Sequence, residues 1–170
     1  MFKEMPRYVS KKSKAYLAWE NQGPIKIPAE KLKKFNQDLQ ELIENAQFEE
    51  NRFQFLKLKM MEGWYEGHAM YLYVKNKSGD ESLQREWIGY GRYVYRERLL
   101  DGEGRDGGFR RKKYTILEGQ WKENQQNGFG RYFGPTGNSY TGEFLDGKRN
   151  GKGKYTWSNG EGSNISASVN

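Results

Sequence analysis

Apolar positions recur along this chain with two different periods, and the change falls near residue 50. Between residues 28 and 47, Leu32, Phe35, Leu39, Leu42, Ile43 and Ala46 form one stripe, while Lys31, Lys33, Lys34, Glu41 and Glu44 fall mostly off it. Pro28 suits a first helical turn. The pattern predicts an amphipathic helix, within a segment running over 28–50, that packs on the chain's own sheet or on a partner. Its mixed charge does not suit a membrane-surface helix. From residue 53 the period becomes two. Phe53-Gln54-Phe55 alternates, and Leu56 to Met60 alternates after a one-residue slip that predicts a β-bulge. Tyr71-Leu72-Tyr73-Val74 reads as a further strand, closed by the turn cluster from Asn76 to Asp80. Residues 1–27 contain Pro6, Gly23, Pro24 and the basic knot Lys11-Lys12-Ser13-Lys14, and predict an extended basic arm that orders on contact with a partner. Tyr8, Tyr16 and Trp19 are its candidate partner-binding anchors. The small, polar residues 161–170 predict a flexible tail.

The strongest pattern is an internal repeat. Leu117-Glu118-Gly119-Gln120-Trp121 is followed by Asn127-Gly128-Phe129-Gly130-Arg131-Tyr132. Later come Tyr140-Thr141-Gly142-Glu143-Phe144 and Asn150-Gly151-Lys152-Gly153-Lys154-Tyr155. Weaker copies of the Gly-x-Gly-x-Tyr core stand at Gly89-Tyr90-Gly91-Arg92-Tyr93 and, with Ala for the second Gly, at Gly67-His68-Ala69-Met70-Tyr71. Alternate residues of a strand share a face, so each unit presents glycines and an aromatic ring together, and a ring from a neighbouring strand can fill the gap a glycine leaves. Asn127-Gly128 and Asp146-Gly147 tolerate the positive φ that short connections need. The repeat core is therefore Gly119, Trp121, Gly128, Gly130, Tyr132, Gly142, Phe144, Gly151, Gly153 and Tyr155. One hairpin cannot bury its own face, but stacked hairpins can.

The run Tyr140-x-Gly142-x-Phe144-x-x-Gly147-x-x-Asn150-Gly151-x-Gly153-x-Tyr155 resembles the MORN (membrane occupation and recognition nexus) repeat. The resemblance is specific over 117–157, degenerate over 58–95, and does not reach 1–50. It implies a mainly β fold: a short β-hairpin array forming a single-layer twisted sheet over 53–160, with a charged insertion at 96–113, preceded by the helix and the arm. Family members include radial-spoke head proteins of cilia, junctional membrane proteins, and phosphoinositide kinases whose repeats are not the catalytic part. The resemblance implies scaffolding through protein contacts and, in some members, acidic lipid.

Composition narrows the chemistry. The 12 Tyr, 9 Phe and 5 Trp beside 21 Gly suit β-structure with tight turns rather than disorder. With no cysteine there is no disulfide, thiolate metal site or thiol nucleophile. The single histidine, His68, is expected to be an ordinary strand residue. The net charge of +7 is spread thinly rather than gathered in a stripe, so no nucleic-acid partner is expected. A second knot, Arg110-Arg111-Lys112-Lys113, is a candidate contact for an acidic protein or an anionic lipid surface. Gly102-Glu103-Gly104-Arg105-Asp106-Gly107 fits a dinucleotide fingerprint in letters only, because its charged flanks supply neither a buried strand nor a helix. Asp101, Glu103 and Asp106 lack the spacing of a calcium loop. No catalytic, cofactor or metal site is expected, no transmembrane segment, and no signal-peptide core. The expected role is a non-enzymatic, intracellular structural subunit bound to other proteins of a large complex. Cilium or cytoskeleton is the first expected location and a mitochondrial membrane complex the alternative; a peripheral adaptor on anionic lipid is the second reading.

Overall fold

A computed structural model describes residues 4–45, 53–96 and 113–167. Two helices, α1 (Lys14–Gln22) and α2 (Ala29–Asn45), precede eight strands: β1 (Gln54–Lys59), β2 (Gly63–Lys75), β3 (Glu81–Arg96), β4 (Tyr114–Lys122), β5 (Gln125–Phe133), β6 (Ser139–Leu145), β7 (Lys148–Thr156) and β8 (Gly162–Ala167). The strands form one open antiparallel sheet in chain order, each strand pairing with the next. The chain is thus mainly β, a hairpin array laid out in sequence.

Three hairpins of the array share one plan. Pairing shifts register after Gly67 in β2, after Gly119 in β4 and after Gly142 in β6. At each shift a single residue, His68, Gln120 or Glu143, faces three residues of the returning strand, so the extra residues belong to β3, β5 and β7. Each of these side chains accepts a backbone N–H from the returning strand: His68 Nδ1 from Tyr90 at 3.1 Å, Gln120 Oε1 from Phe129 at 2.7 Å, and Glu143 Oε2 from Lys152 at 3.4 Å. A bulge leaves a ladder group unpaired, and here a side chain takes its place. Gly67 and Gly89, which read as the starts of two degenerate copies, therefore belong to the two strands of one unit. The bulged strands are β3, β5 and β7; β1 pairs with β2 in unbroken register, so the slip at Leu56 makes no bulge.

The register also aligns Gly67, Gly91, Gly119, Gly130, Gly142 and Gly153 into one row across six strands. Two of these show why the row has no side chains. A Cβ on Gly91 would lie 2.5 Å from the Tyr65 hydroxyl oxygen, and one on Gly153 would enter the Tyr140 ring. Both tyrosines reach across the seam and donate to a carbonyl opposite the bulge, Tyr65 to His68 O at 2.7 Å and Tyr140 to Glu143 O at 3.1 Å. The middle unit has Leu117 at that position. There the Gln126 amide fills the gap beside Gly130, donating to Glu118 O at 3.1 Å and Arg131 O at 3.0 Å.

The connections differ from expectation at one point. Asp146 and Gly147 form the β6–β7 turn with φ of 49° and 77°, but the β4–β5 turn is Glu123-Asn124, at 53° and 63°. Asn127 instead braces its neighbours: its amide donates to Lys122 O, and its Oδ1 accepts from the Asp146 N–H.

The N-terminal segment is not an extended arm. Ser13 caps α1 by accepting from the Tyr16 N–H, and Gly23 ends it. Val9, Ala15 and Trp19 pack with Val94, Tyr114, Ile116 and Phe133 into the main buried cluster. A single sheet has no second layer of its own to bury an apolar face, and this segment supplies one. Residues 162–167 are not a free tail either: β8 pairs with β7 from Thr156↔Gly162 to Gly151↔Ala167. Backbone pairing to an exposed edge needs no apolar alternation, which is why the sequence looks tail-like there.

Candidate interaction surfaces

Arg92, Glu118 and Arg131 are direct register partners on β3, β4 and β5, and all three are buried. Glu118 Oε1 accepts from Arg92 Nε at 3.0 Å and Trp19 Nε1 at 2.7 Å, and its Oε2 accepts from Arg131 Nη2 at 2.7 Å. The arginines reach outward to main-chain oxygens, Arg92 to Glu4 O and Arg131 to Gly23 O. Burying charges is costly unless each is paired and hydrogen-bonded. All three charges are paired here, and the outward bonds tie both ends of the α1 segment to the sheet, while Arg131 Nε makes no hydrogen bond. A carboxylate held by three donors acts here as a clamp between the helical segment and the sheet.

α2 sits on the same face as α1. Tyr90 is two residues from Arg92 on β3 and so points the same way. The Tyr90 ring meets Phe35 edge-on at 5.1 Å, and its hydroxyl donates to Asn36 Oδ1 at 2.5 Å. Lys31 pairs with Glu143, the residue that faces the bulge of the third hairpin. Burial raises the Tyr90 pKa, so its hydroxyl stays protonated as a donor, while burial lowers that of His68. His68 is therefore not an idle strand residue: an acceptor at Nδ1 requires the neutral imidazole, and burial favours that form. None of the α2 side chains is fully buried; a cleft of about 500 Å³ opens beside the Phe35–Tyr90 contact, lined on the helix side by Lys34, Phe35, Leu39 and Leu42.

Among the described residues, β2 and β3 pair only with each other beyond Ala69 and Gly89, so their hairpin projects past the other described strands. Its turn is held by Asn76 Oδ1, which accepts from the N–H groups of Ser78 and Asp80. Tyr73 (59% exposed) stands opposite Leu83 (41%) on this projection. Phe55, Met61, Leu145 and Trp157 are also exposed.

The residues expected to bind partners fare differently. Trp19 is buried against the sheet and bonded to Glu118, which takes it out of reach of any partner. Tyr16 is half-buried beside it, and Tyr8, still 43% exposed, stacks on Trp64 at 4.0 Å. Lys113 is exposed at the head of β4. Arg110, Arg111 and Lys112 lie outside the described residues, as do the Gly102–Gly107 stretch, the Asp101/Glu103/Asp106 group and the end of the 28–50 segment. Of the repeat aromatics, Trp121 and Phe144 are buried and Tyr132 and Tyr155 half-buried. Among the described residues there is no group of His, Asp and Glu able to hold a metal, and no helix is long and apolar enough to cross a membrane. The projecting hairpin has a sequence signal: an alternating strand pair much longer than the tight turns of the later units.

Residues 118–139 and 140–162 match the MORN repeat family as two adjacent repeats. None of the curated proteins compared with the chain matches it. The family match begins after the Tyr65–Tyr93 hairpin, whose bulge and glycine register nevertheless repeat those of the two matched units.

Proposed function

We propose that this chain, with two MORN repeats and a third hairpin on the same plan, is a non-enzymatic scaffold subunit that holds other proteins in a larger assembly. The observation that carries this reading is the projecting hairpin. A two-stranded ribbon is marginal in water, and this one presents Tyr73 and Leu83 where a neighbour can cover them. The side chains best suited to chemistry are engaged elsewhere, His68 opposite a bulge and Glu118 between two arginines. The first assembly to examine is ciliary or cytoskeletal, with a mitochondrial membrane complex second. A peripheral adaptor on anionic lipid is the rival, favoured by the Arg110–Lys113 knot.

Native purification of the tagged chain, with co-purifying proteins identified by mass spectrometry, tests the reading. A fixed set of subunits in constant ratio is expected, and Tyr73→Ser with Leu83→Ser should lose at least one of them while the chain stays folded. Recovery of the chain alone, together with salt-sensitive sedimentation on anionic vesicles, would replace this reading with the lipid one.

A further inference from the structure

Among the described residues, β1 and β8 each have a neighbouring strand on one side only. Soluble proteins blunt such edges with charge, proline or bulges, because a row of unpaired N–H and C=O groups templates a further strand. β1 carries Lys57 and Lys59, both exposed. β8 has none of these devices: its six residues, Gly162 to Ala167, include no charge and no proline, and it pairs with β7 in unbroken register.

The phase of that pairing shows which groups are open. Trp157 N–H donates to Glu161 O at 2.8 Å, so the 157–161 pair is a hydrogen-bonded one. Antiparallel pairs alternate between bonded and non-bonded. Ser163 and Ile165 therefore turn their backbone groups to β7, while Gly162, Asn164 and Ser166 turn theirs outward. All three outward residues are exposed.

Charge behind the edge has one sign. From residue 148 to 167 the exposed bases Lys148, Arg149, Lys152 and Lys154 stand against a single acid, Glu161. Lys154 leans across β8: a Cβ on Gly162 would lie 3.0 Å from its Cε, so its ammonium is carried toward the open edge. Lys152 lies opposite Ser166, on the same face as Lys154 and Asn164. The other face is apolar: Ile165 follows Ser163, and behind them Tyr155 and Trp157 meet edge-on at 4.9 Å.

We propose that β8 accepts an added strand from an acidic partner protein, an extended segment whose carboxylates alternate with apolar side chains. Its main chain bonds to Gly162, Asn164 and Ser166. Its carboxylates lie on the face of Lys152 and Lys154, and its apolar residues lie beside Ile165. A row of backbone donors and acceptors is matched only by extended backbone, and a second copy of β8 would bring a second set of bases to the same edge. The proposal rests on the scaffold reading in expecting a protein partner, but its surface is separate from the projecting hairpin.

The test is a ¹H–¹⁵N titration of the purified full chain with a capped peptide of alternating glutamate and valine, as long as β8. Saturable shifts confined to the β7–β8 hairpin are expected, with slower amide exchange at Asn164 and Ser166. The same peptide with lysine for glutamate, or with alternate backbone amides methylated, should bind about tenfold more weakly or worse. Asn164→Pro removes an outward N–H that β7 does not use, so the fold should stand while binding is lost. Lys152→Glu with Lys154→Glu should reverse the preference between the two peptides. Absence of saturable binding, undiminished binding in Asn164→Pro, or a free chain that is already dimeric with Asn164 and Ser166 protected would each overturn the proposal. Tyr73→Ser with Leu83→Ser should leave this binding unchanged, so failure here is distinguishable from failure of the scaffold reading.

Discussion

Trp19 donates its indole N–H to Glu118 across 99 residues of sequence, at 2.7 Å, and that bond joins the helical segment to the middle of the sheet. Glu118→Leu should be among the most destabilising single changes, by about 3–5 kcal/mol, because it leaves two buried guanidinium groups without their counter-charge. Trp19→Phe keeps the ring packing and loses only the donor, so its cost should be about 1–2 kcal/mol. Urea denaturation of the two variants checks the order.

His68 makes stability depend on mild acid. Its folded-state pKa is lowered by burial, and its Nδ1 accepts from Tyr90. The contribution is fully present above the unfolded-state value of about 6.5 and is lost as pH falls from there toward the folded-state pKa. His68→Gln places the residue of the second repeat in the first. Its Tm should fall less than the wild type's between pH 7.5 and 5.5, with the difference confined to that window. Parallel Tm curves would refute the assignment.

Gly153 and Tyr140 form a lock. Gly153→Ala should cost about 1–3 kcal/mol, since the added methyl enters the ring position. In a Tyr140→Leu background, which copies Leu117 of the preceding unit, the same change should cost measurably less. A double-mutant cycle in urea would give a coupling near zero if the two do not share that space.

The two helices should differ in exchange protection. α1 buries Ala15 and Trp19, whereas no α2 residue is buried. Amide hydrogen exchange should be faster along 32–45 than along 17–22, and Lys31→Ala should widen the gap without affecting α1.

Much of this architecture is legible in the sequence, for reasons that can be traced to particular residues. Glycines at fixed intervals mark the units at 117–157 because only that spacing lets a ring cross the seam. The stripe from Leu32 to Ile43 marks α2 because helical periodicity survives loose packing. The first unit is obscured because its hairpin is drawn out to Lys75 and Glu81 before returning. Gly67 then lies close to one repeat period from Gly89, and the wrong pair looks equivalent. α1 is hidden because its apolar signal is little more than Ala15 and Trp19, whose partners are over 70 residues away. For the same reason Trp19 looks like a hook for a partner when it is a peg in the chain's own core. The edge strand β8 carries no pattern because the backbone of β7, not its own side chains, holds it in place. The cleft depends on the distance between α2 and the sheet, which no local pattern encodes.

The strict chain order of the strands makes the array a ruler. Interstrand steps of about 4.8 Å place β1 and β8 roughly 34 Å apart along the hydrogen-bonding direction. Each inserted hairpin would lengthen that span by about 10 Å without disturbing either end. Neighbours gripping the two edges would be held at a spacing set by the number of repeats, so unit count, rather than any single contact residue, becomes the quantity on which selection for such a part can act.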